Sequence, residues 1–490
     1  MEEKRNLKIR SVSYNFIMNA VLRLSAFLFP LITFPYVSRV LGPEGNGKIA
    51  FAVSVVYYFT VVASLGIPTY GIRACAQYRN DRKALSRTVQ ELLIISSVLT
   101  VISYLALFAA VLLIPRLREN WVLIAVCSSS LVLTTMGVEW FYQAIEQYDY
   151  ITARNLSFKL LSVVMMFLWV RRAEDFILYA GIQVLGTVGS NVLNLIRLRR
   201  YITLRPVGDY HFTHHLKAAA SFFLLTAAAT VYTNLDTVML GFISGDTEVG
   251  FYTAAVKMKN ILVSAVTALG AVLLPRASFY IQQGKTAEFK QITDKAFRFT
   301  FLAALPLTAY CILQATEIIT FLSDTEYLGA VPAMIAITPT ILLIGLSQIT
   351  GIQILVPLGL EKYTILSTAA GAVTDLLLNA LLIPTYGALG AAIGTLVAEA
   401  VVLGVQVFFL RKSEYLRQDT PDLCKILVST AVAAVALAVF ARFVPIGSVF
   451  IRLCCTAVLF FGIYGILLLV LRESLVSQYV HKLLKRLQHT

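Results

Sequence analysis

Long apolar runs recur from one end of the chain to the other, separated by short polar segments. A run of about 18 or more apolar residues can cross a hydrocarbon core of about 30 Å as a helix. In lipid only helices and closed barrels satisfy every backbone N–H and C=O. Barrel strands would read as alternating segments of about ten residues. The continuous runs therefore predict an all-α polytopic membrane protein of about fourteen transmembrane helices. They fall near 12–36, 48–67, 89–114, 121–144, 151–170, 176–196, 218–243, 250–274, 297–322, 330–357, 363–384, 387–410, 424–444 and 449–471. The connecting segments are short, which leaves no room for a globular catalytic domain. The first run follows a charged segment and lacks a small-residue cleavage site, so it is expected to stay as a span rather than be removed as a signal.

Polar residues interrupt these runs in a helical rhythm. In span 1, Asn15, Asn19 and Arg23 recur at every fourth position, which is one helix face. Thr135, Glu139 and Gln143 repeat the pattern in span 4, Tyr232 and Asp236 in span 7, and Ser367, Gly371, Asp375 and Asn379 in span 11. Span 12 carries Thr395 and Glu399. Span 8 carries Lys257 and Lys259, two residues apart, so at most one of them faces a given cavity. Ionisable residues at membrane depth are expensive and face a partner or a hydrated cavity. Two readings stay open: a charged cavity, or ion pairs that lock helices together. In the first, Arg23, Lys48, Lys257 and Asn19 would hold an anionic substrate by charge-assisted hydrogen bonds. Asp236, Glu139, Asp375 and Glu399 would then pair with those cations or couple an ion. Lys48, at a span end, can also snorkel. Pro30, Pro35, Pro306, Pro339 and Pro357 each remove a helix hydrogen bond and mark candidate bends.

Charge settles orientation rather than partner. The net charge of +14 would point to nucleic acid in a soluble chain, but cytoplasmic loops of membrane proteins are basic. On the fourteen-span reading, 29 Lys and Arg lie in the segments on the side of the termini or at the span edges beside them and six on the other side, which places both termini in the cytoplasm and excludes a nucleic-acid partner. The six cysteines show no metal-ligand spacing. His211, His214 and His215 read as a solvated loop, and His481 and His489 as tail. No metal site, cofactor or enzyme motif is expected.

A weak internal repeat organises the spans. Leu41-Gly42-Pro43-Glu44-Gly45-Asn46-Gly47 precedes span 2, and Ile243-Ser244-Gly245-Asp246-Thr247-Glu248-Val249-Gly250 precedes span 8, pairing Gly47 with Gly250. Pro68 pairs in the same way with Pro275. Two parallel six-helix lobes follow, residues 1–213 and 214–415, with two extra helices and a tail over 416–490. Transporters built from such repeats place the substrate between them and rock one against the other.

The stretch Phe34-Pro35-Tyr36-Val37-Ser38-Arg39-Val40-Leu41-Gly42-Pro43-Glu44-Gly45-Asn46-Gly47-Lys48-Ile49-Ala50-Phe51, with Leu65-Gly66-Ile67-Pro68 and Gly71-Ile72-Arg73, resembles polysaccharide-biosynthesis flippases of the Wzx type. So does Thr233-Asn234-Leu235-Asp236-Thr237-Val238-Met239-Leu240-Gly241 with Val249-Gly250-Phe251-Tyr252-Thr253-Ala254-Ala255. The resemblance implies a two-lobed fold shared with MATE-type multidrug exporters and lipid II flippases. It implies transfer of an undecaprenyl diphosphate-linked oligosaccharide from the inner to the outer leaflet of a bacterial plasma membrane, for surface polysaccharide export. It further implies a cationic cavity containing Arg23 and Lys257, alternating access driven by H+, Na+ or the membrane potential, and polysaccharide assembly proteins as potential partners. The alternative is a MATE-like drug or cation antiporter, against which the cationic stripe and the two extra spans count.

Overall fold

The computed structural model describes residues 10–411, 413, 415, 420–444 and 446–478; the side chains of some helical residues, Arg23 and Tyr232 among them, lie outside that description. All regular structure among the described residues is helical. Nine helices there are long and apolar enough to cross a membrane, and eleven when each of two bent helix pairs is taken as one span. Leu113, 80% exposed, and Val458, 76% exposed, belong to a broad apolar exterior that water would not tolerate and lipid would.

Two compact units divide the chain, Met1–Gly250 and Phe251–Thr490. The first begins with α1 (Val12–Ser64), α2 (Ile67–Gln77) and α3 (Arg82–Leu113). Next come the short α4 (Pro115–Glu119), α5 (Trp121–Thr135), α6 (Glu139–Ala144) and α7 (Tyr148–Trp169). α8 (Phe176–Val184), α9 (Asn191–Leu198) and α10 (Phe212–Ile243) complete it. α1 is its centre, with α3, α5, α7 and α10 packed on it. The first unit runs past residue 213 because α10 packs on α1, α2 and α3.

Where the sequence predicts a loop over 37–47, the helix continues and is broken at one residue. Gly42 has φ 66 and ψ −179, a conformation glycine adopts readily, and Pro43 starts the second arm of α1 with its φ already helical. The span predicted over 121–144 is cut instead: Val138, at φ 42, separates α5 from α6. The polar stripe Thr135–Glu139–Gln143 therefore does not run along one helix. Asp81 caps α3, its carboxylate accepting from the amides of Lys83 at 2.9 Å and Ala84 at 3.0 Å.

The second unit contains most of α11 (Asp246–Gln282), then α12 (Thr286–Leu313), α13 (Ala315–Leu322), α14 (Val331–Ile337) and α15 (Thr340–Ser347). It continues with α16 (Glu361–Leu410), α17 (Thr420–Phe443) and α18 (Val449–Val470). The tenth predicted span is bent by 41° between Ile337 and Thr340, where Pro339 sits. α16 turns back at Gly387, φ 52, to give two arms. The hairpin α17–α18 packs on α12, fastened by Arg298 Nη1 to Asp422 Oδ2 at 2.9 Å and Tyr464 Oη to the Leu302 carbonyl at 2.8 Å.

Candidate functional site

In the first unit α1 meets α7. Thr152 Oγ1 donates to the Met18 carbonyl at 3.0 Å, and Lys159 Nζ to Ser25 Oγ at 2.9 Å, fixing the register of the two helices. Asn15, buried, donates from Nδ2 to Glu146 Oε2 at 3.4 Å, and Arg79 Nη1 holds Glu146 Oε1 at 3.1 Å. Asn19 is half-buried on the same helix; the side chain of Arg23 lies outside the described residues. Lys159 stands near the middle of α7, half-buried, with the ring of Phe29 at 5.7 Å. Among the described residues it makes no ion pair within 4.0 Å. The sequence reading did not single it out, although a lone lysine inside a 22-residue apolar helix is signal enough.

Glu139 is committed elsewhere. Its Oε2 accepts from Arg154 Nη2 at 2.6 Å and its Oε1 from Gln143 at 3.4 Å. The Arg154 side chain is 1% exposed and that of Glu139 33%, so the acid is the accessible member of the pair. Asp236 is buried on α10 and acts electrostatically on Tyr58 of α1. An apolar pocket of about 220 Å³ lies between the same two helices, lined by Tyr58, Phe59, Val62, Phe223 and Thr230. Lys48 lies on the second arm of α1, paired with Glu44 one turn earlier at 2.6 Å and 5.4 Å from the Phe176 ring.

In the second unit the polar residues of α16 knit its own two arms together. Asp375, 1% exposed, and Asn379, fully buried, lie against Gly394 of the returning arm. A Cβ there would stand 2.4 Å from Asn379 Oδ1 and 3.4 Å from Asp375 Oδ1. Gln406 Nε2 donates to Ser367 Oγ at 3.1 Å, and Thr395 Oγ1 meets Tyr252 Oη of α11 at 3.0 Å. Glu399, buried, is one turn beyond Thr395. Lys257 and Lys259 are both half-buried on α11.

The histidines correct the sequence reading. His214 is exposed, but His215 is buried in the first turn of α10. Its Nδ1 lies 2.7 Å from Tyr70 Oη and its Nε2 2.8 Å from Glu91 Oε2. The segment before α10 is anchored too: Gln90 Nε2 donates to the carbonyls of Thr203 at 2.7 Å and Arg205 at 2.9 Å. This loop is tied down because buried polar groups on α2 and α3 need partners there. His481 and His489 lie outside the described residues.

At the other end of the first unit, the two glycine-containing motifs meet. A Cβ on Gly47 would lie 1.7 Å from the Asp246 carbonyl oxygen and 2.9 Å from the Gly250 amide nitrogen. One on Gly250 would lie 2.0 Å from the Pro43 carbonyl oxygen. Arg116 of α4 clamps the seam, donating from Nη2 to Asp246 Oδ1 at 2.7 Å and from Nε to the Gly241 carbonyl at 3.2 Å.

Comparison with known proteins agrees with this architecture. The model of a family described as polysaccharide biosynthesis protein matches residues 12–280. A putative O-antigen transporter of Escherichia coli (strain K12) is 25% identical over 408 residues, covering 83% of this chain and 98% of that protein. The probable flippase AglR of Haloferax volcanii is 24% identical over 217 residues, 44% of this chain and 46% of that protein. Among solved structures, the lipid II flippase MurJ in an inward closed conformation superposes with a TM-score of 0.75 at 13% identity, over 94% of this chain and 100% of that one. An inward-facing multidrug resistance MATE family transporter gives 0.58 at 14% identity, over 82% and 99%.

Proposed function

The chain belongs to the polysaccharide biosynthesis protein family, and on that premise we propose that it flips a lipid-linked oligosaccharide, carried on undecaprenyl diphosphate, from the inner to the outer leaflet of the bacterial plasma membrane by alternating access. It is a multi-pass membrane transporter and not an enzyme. A diphosphate cannot enter hydrocarbon unpaired, because burying an isolated charge is prohibitive. The observation that carries the proposal is a cation that makes no ion pair among the described residues: Lys159, half-buried at mid-helix on α7, where that helix packs on α1 at Ser25 and Phe29. Lys159 and Arg23 in the first unit would neutralise the diphosphate while the polyprenyl tail stays in lipid, and Lys257 of the second unit is a further candidate cation. Asp236 and Glu399 are the coupling acids of this reading. Asp375 and Glu139 serve it by pairing and packing. The lobes are 1–213 and 214–415, with both termini in the cytoplasm.

Fourteen spans fit the architecture. Counting two arms each for α1 and α16, one span for each bent pair, and α10, which is 32 residues long, brings the nine apolar helices to fourteen.

The test is a depletion strain, scored for undecaprenyl-linked glycan and for access of its sugars to an external probe. Depletion should trap the glycan on the cytoplasmic side. Wild type should rescue, while Arg23→Ala and Lys159→Met, made at normal levels, should not. Normal surface glycan with no trapped intermediate would overturn the proposal and favour the antiporter.

A further inference from the structure

We propose that Tyr70, His215 and Glu91 form a proton-binding site that fastens the first turn of α10 to α2 and α3. The three side chains come from three helices and are 8%, 7% and 2% exposed. They form one chain of contacts, Tyr70 Oη to His215 Nδ1 at 2.7 Å and His215 Nε2 to Glu91 Oε2 at 2.8 Å. The second Glu91 oxygen accepts from the backbone amide of His211, immediately before α10. A carboxylate in that place faces the positive end of the α10 dipole.

The same heavy atoms satisfy two protonation states. With both carboxylate oxygens accepting, Nε2 is a donor, so the open question is Nδ1. When the imidazole is neutral, Nδ1 accepts from the Tyr70 hydroxyl. When a proton is added there, Nδ1–H donates to the Tyr70 oxygen and the phenol hydrogen turns away. No heavy atom moves, and the proton stays on the ring. The Glu91 charge is buried in both states, and the protonated imidazole adds a full positive charge to the hydrogen bonds and helix dipole that hold it in the neutral state. Breaking one partner of a buried charge pair is more costly than losing a neutral hydrogen bond. The protonated form is therefore the tighter fastening.

The surrounding charges do not replace this compensation. Arg73, Cys75 and Tyr78 act on Tyr70 from α2. On α10 the neighbouring ring is that of His214, with centroids 5.5 Å apart. On the preceding segment, Tyr210 donates to Gln90 Oε1 at 2.7 Å and Asp209 pairs with Arg87 at 3.5 Å.

The sign of the linkage follows. Compensation stabilises the fastened state while the imidazole holds its second proton, and is lost as rising pH removes that proton. Release of α10 from α2 and α3 is thereby coupled to loss of a proton. This inference does not require the cargo proposed above, and its test does not measure transport.

The experiment is hydrogen–deuterium exchange of the full-length protein in lipid nanodiscs from pH 5.5 to 8, corrected for intrinsic exchange rates and read over residues 203–219. Wild type should lose about tenfold in protection across that range. His215→Gln keeps a donor toward Glu91 but takes up no proton, so its protection should not vary with pH. Glu91→Gln, which removes the charge, should flatten the profile as well and serves if His215→Gln does not fold. Tyr70→Phe should lower protection at the alkaline end and retain the pH dependence. A pH-independent wild type, or a wild-type profile in either the His215 or the Glu91 variant, would overturn the proposal.

Discussion

The two ends of the first unit are closed by different chemistry. Near Gly42 the seam is backbone against backbone: Gly47 meets Asp246 and Gly250, and Gly250 meets Pro43, at distances that leave no volume for a methyl group. Near Tyr70 the junction is made by side chains and works through donors and acceptors. The first closure depends chiefly on shape, with the Arg116–Asp246 pair across it. The second depends on a proton and tolerates modest changes of shape. A transporter that must open its ends at different moments gains from such a division, because a signal acting on one junction leaves the other unaffected.

Changing Gly47 should break the comparison most severely. Gly47→Ala places a carbon against the Asp246 carbonyl at 1.7 Å, and neither side of the contact is a flexible side chain. Overpacking of this kind costs about 1–3 kcal/mol or more. We expect a lower melting temperature in detergent and no surface glycan. Gly45→Ala, whose new carbon would meet the Leu41 Cβ at 3.1 Å and otherwise only ordinary contacts with Phe176 at 3.7 Å and Ala173 at 3.9 Å, should stay much closer to wild type. Equal melting for both variants would show that the seam is not close-packed.

Arg116 tests whether the seam also needs charge. Its partner Asp246 has a side chain only 8% exposed, so Arg116→Gln leaves a carboxylate without its cation. Hydrogen bonds to charged groups are worth about 1.5–3 kcal/mol, and a loss of about 2 kcal/mol in thermal or chemical unfolding is expected. Adding Asp246→Asn should recover part of it, since the stranded charge is gone. If the double variant is no better than the single one, the arginine acts through its contacts to Gly241 and Phe51 instead.

Much of this arrangement is legible in the sequence, and the misses have physical reasons. Apolar runs and the position-by-position stripe of α1 follow from the lipid's demand for helices and from helical periodicity. The glycine motifs are visible as motifs, but nothing in the letters says that Gly47 and Gly250 touch. Sequence spacing also joined Thr135 to Glu139, because an αL break at a valine has no sequence mark of its own. Histidines bracketed by arginines and a proline read as loop. His215 is buried because Tyr70 and Glu91, more than 120 residues away in sequence, reach it. Lys159 is hard to read from sequence because its hydrogen-bond partner, Ser25, is on α1, more than 130 residues away.

The smallest effect is the one that sharpens the site most. Residue type alone groups Lys48 with Arg23 and Lys257, yet its ammonium is held by Glu44, whose side chain is 64% exposed. An exposed i,i+4 pair is worth about 0.3–0.5 kcal/mol. Lys48→Met and Glu44→Gln should therefore each shift stability by no more than that. If depth alone made a substrate cation, Lys48→Met would abolish surface glycan as Lys159→Met is expected to do. If the absence of a bound carboxylate is what leaves a cation available to a diphosphate, Lys48→Met should export glycan at near wild-type levels. We expect the second result, because a diphosphate would have to displace Glu44 from Lys48 but only a neutral hydroxyl from Lys159. Loss of surface glycan in Lys48→Met at normal protein levels would move Lys48 back among the substrate cations and show that the exchange with Glu44 takes place during transport.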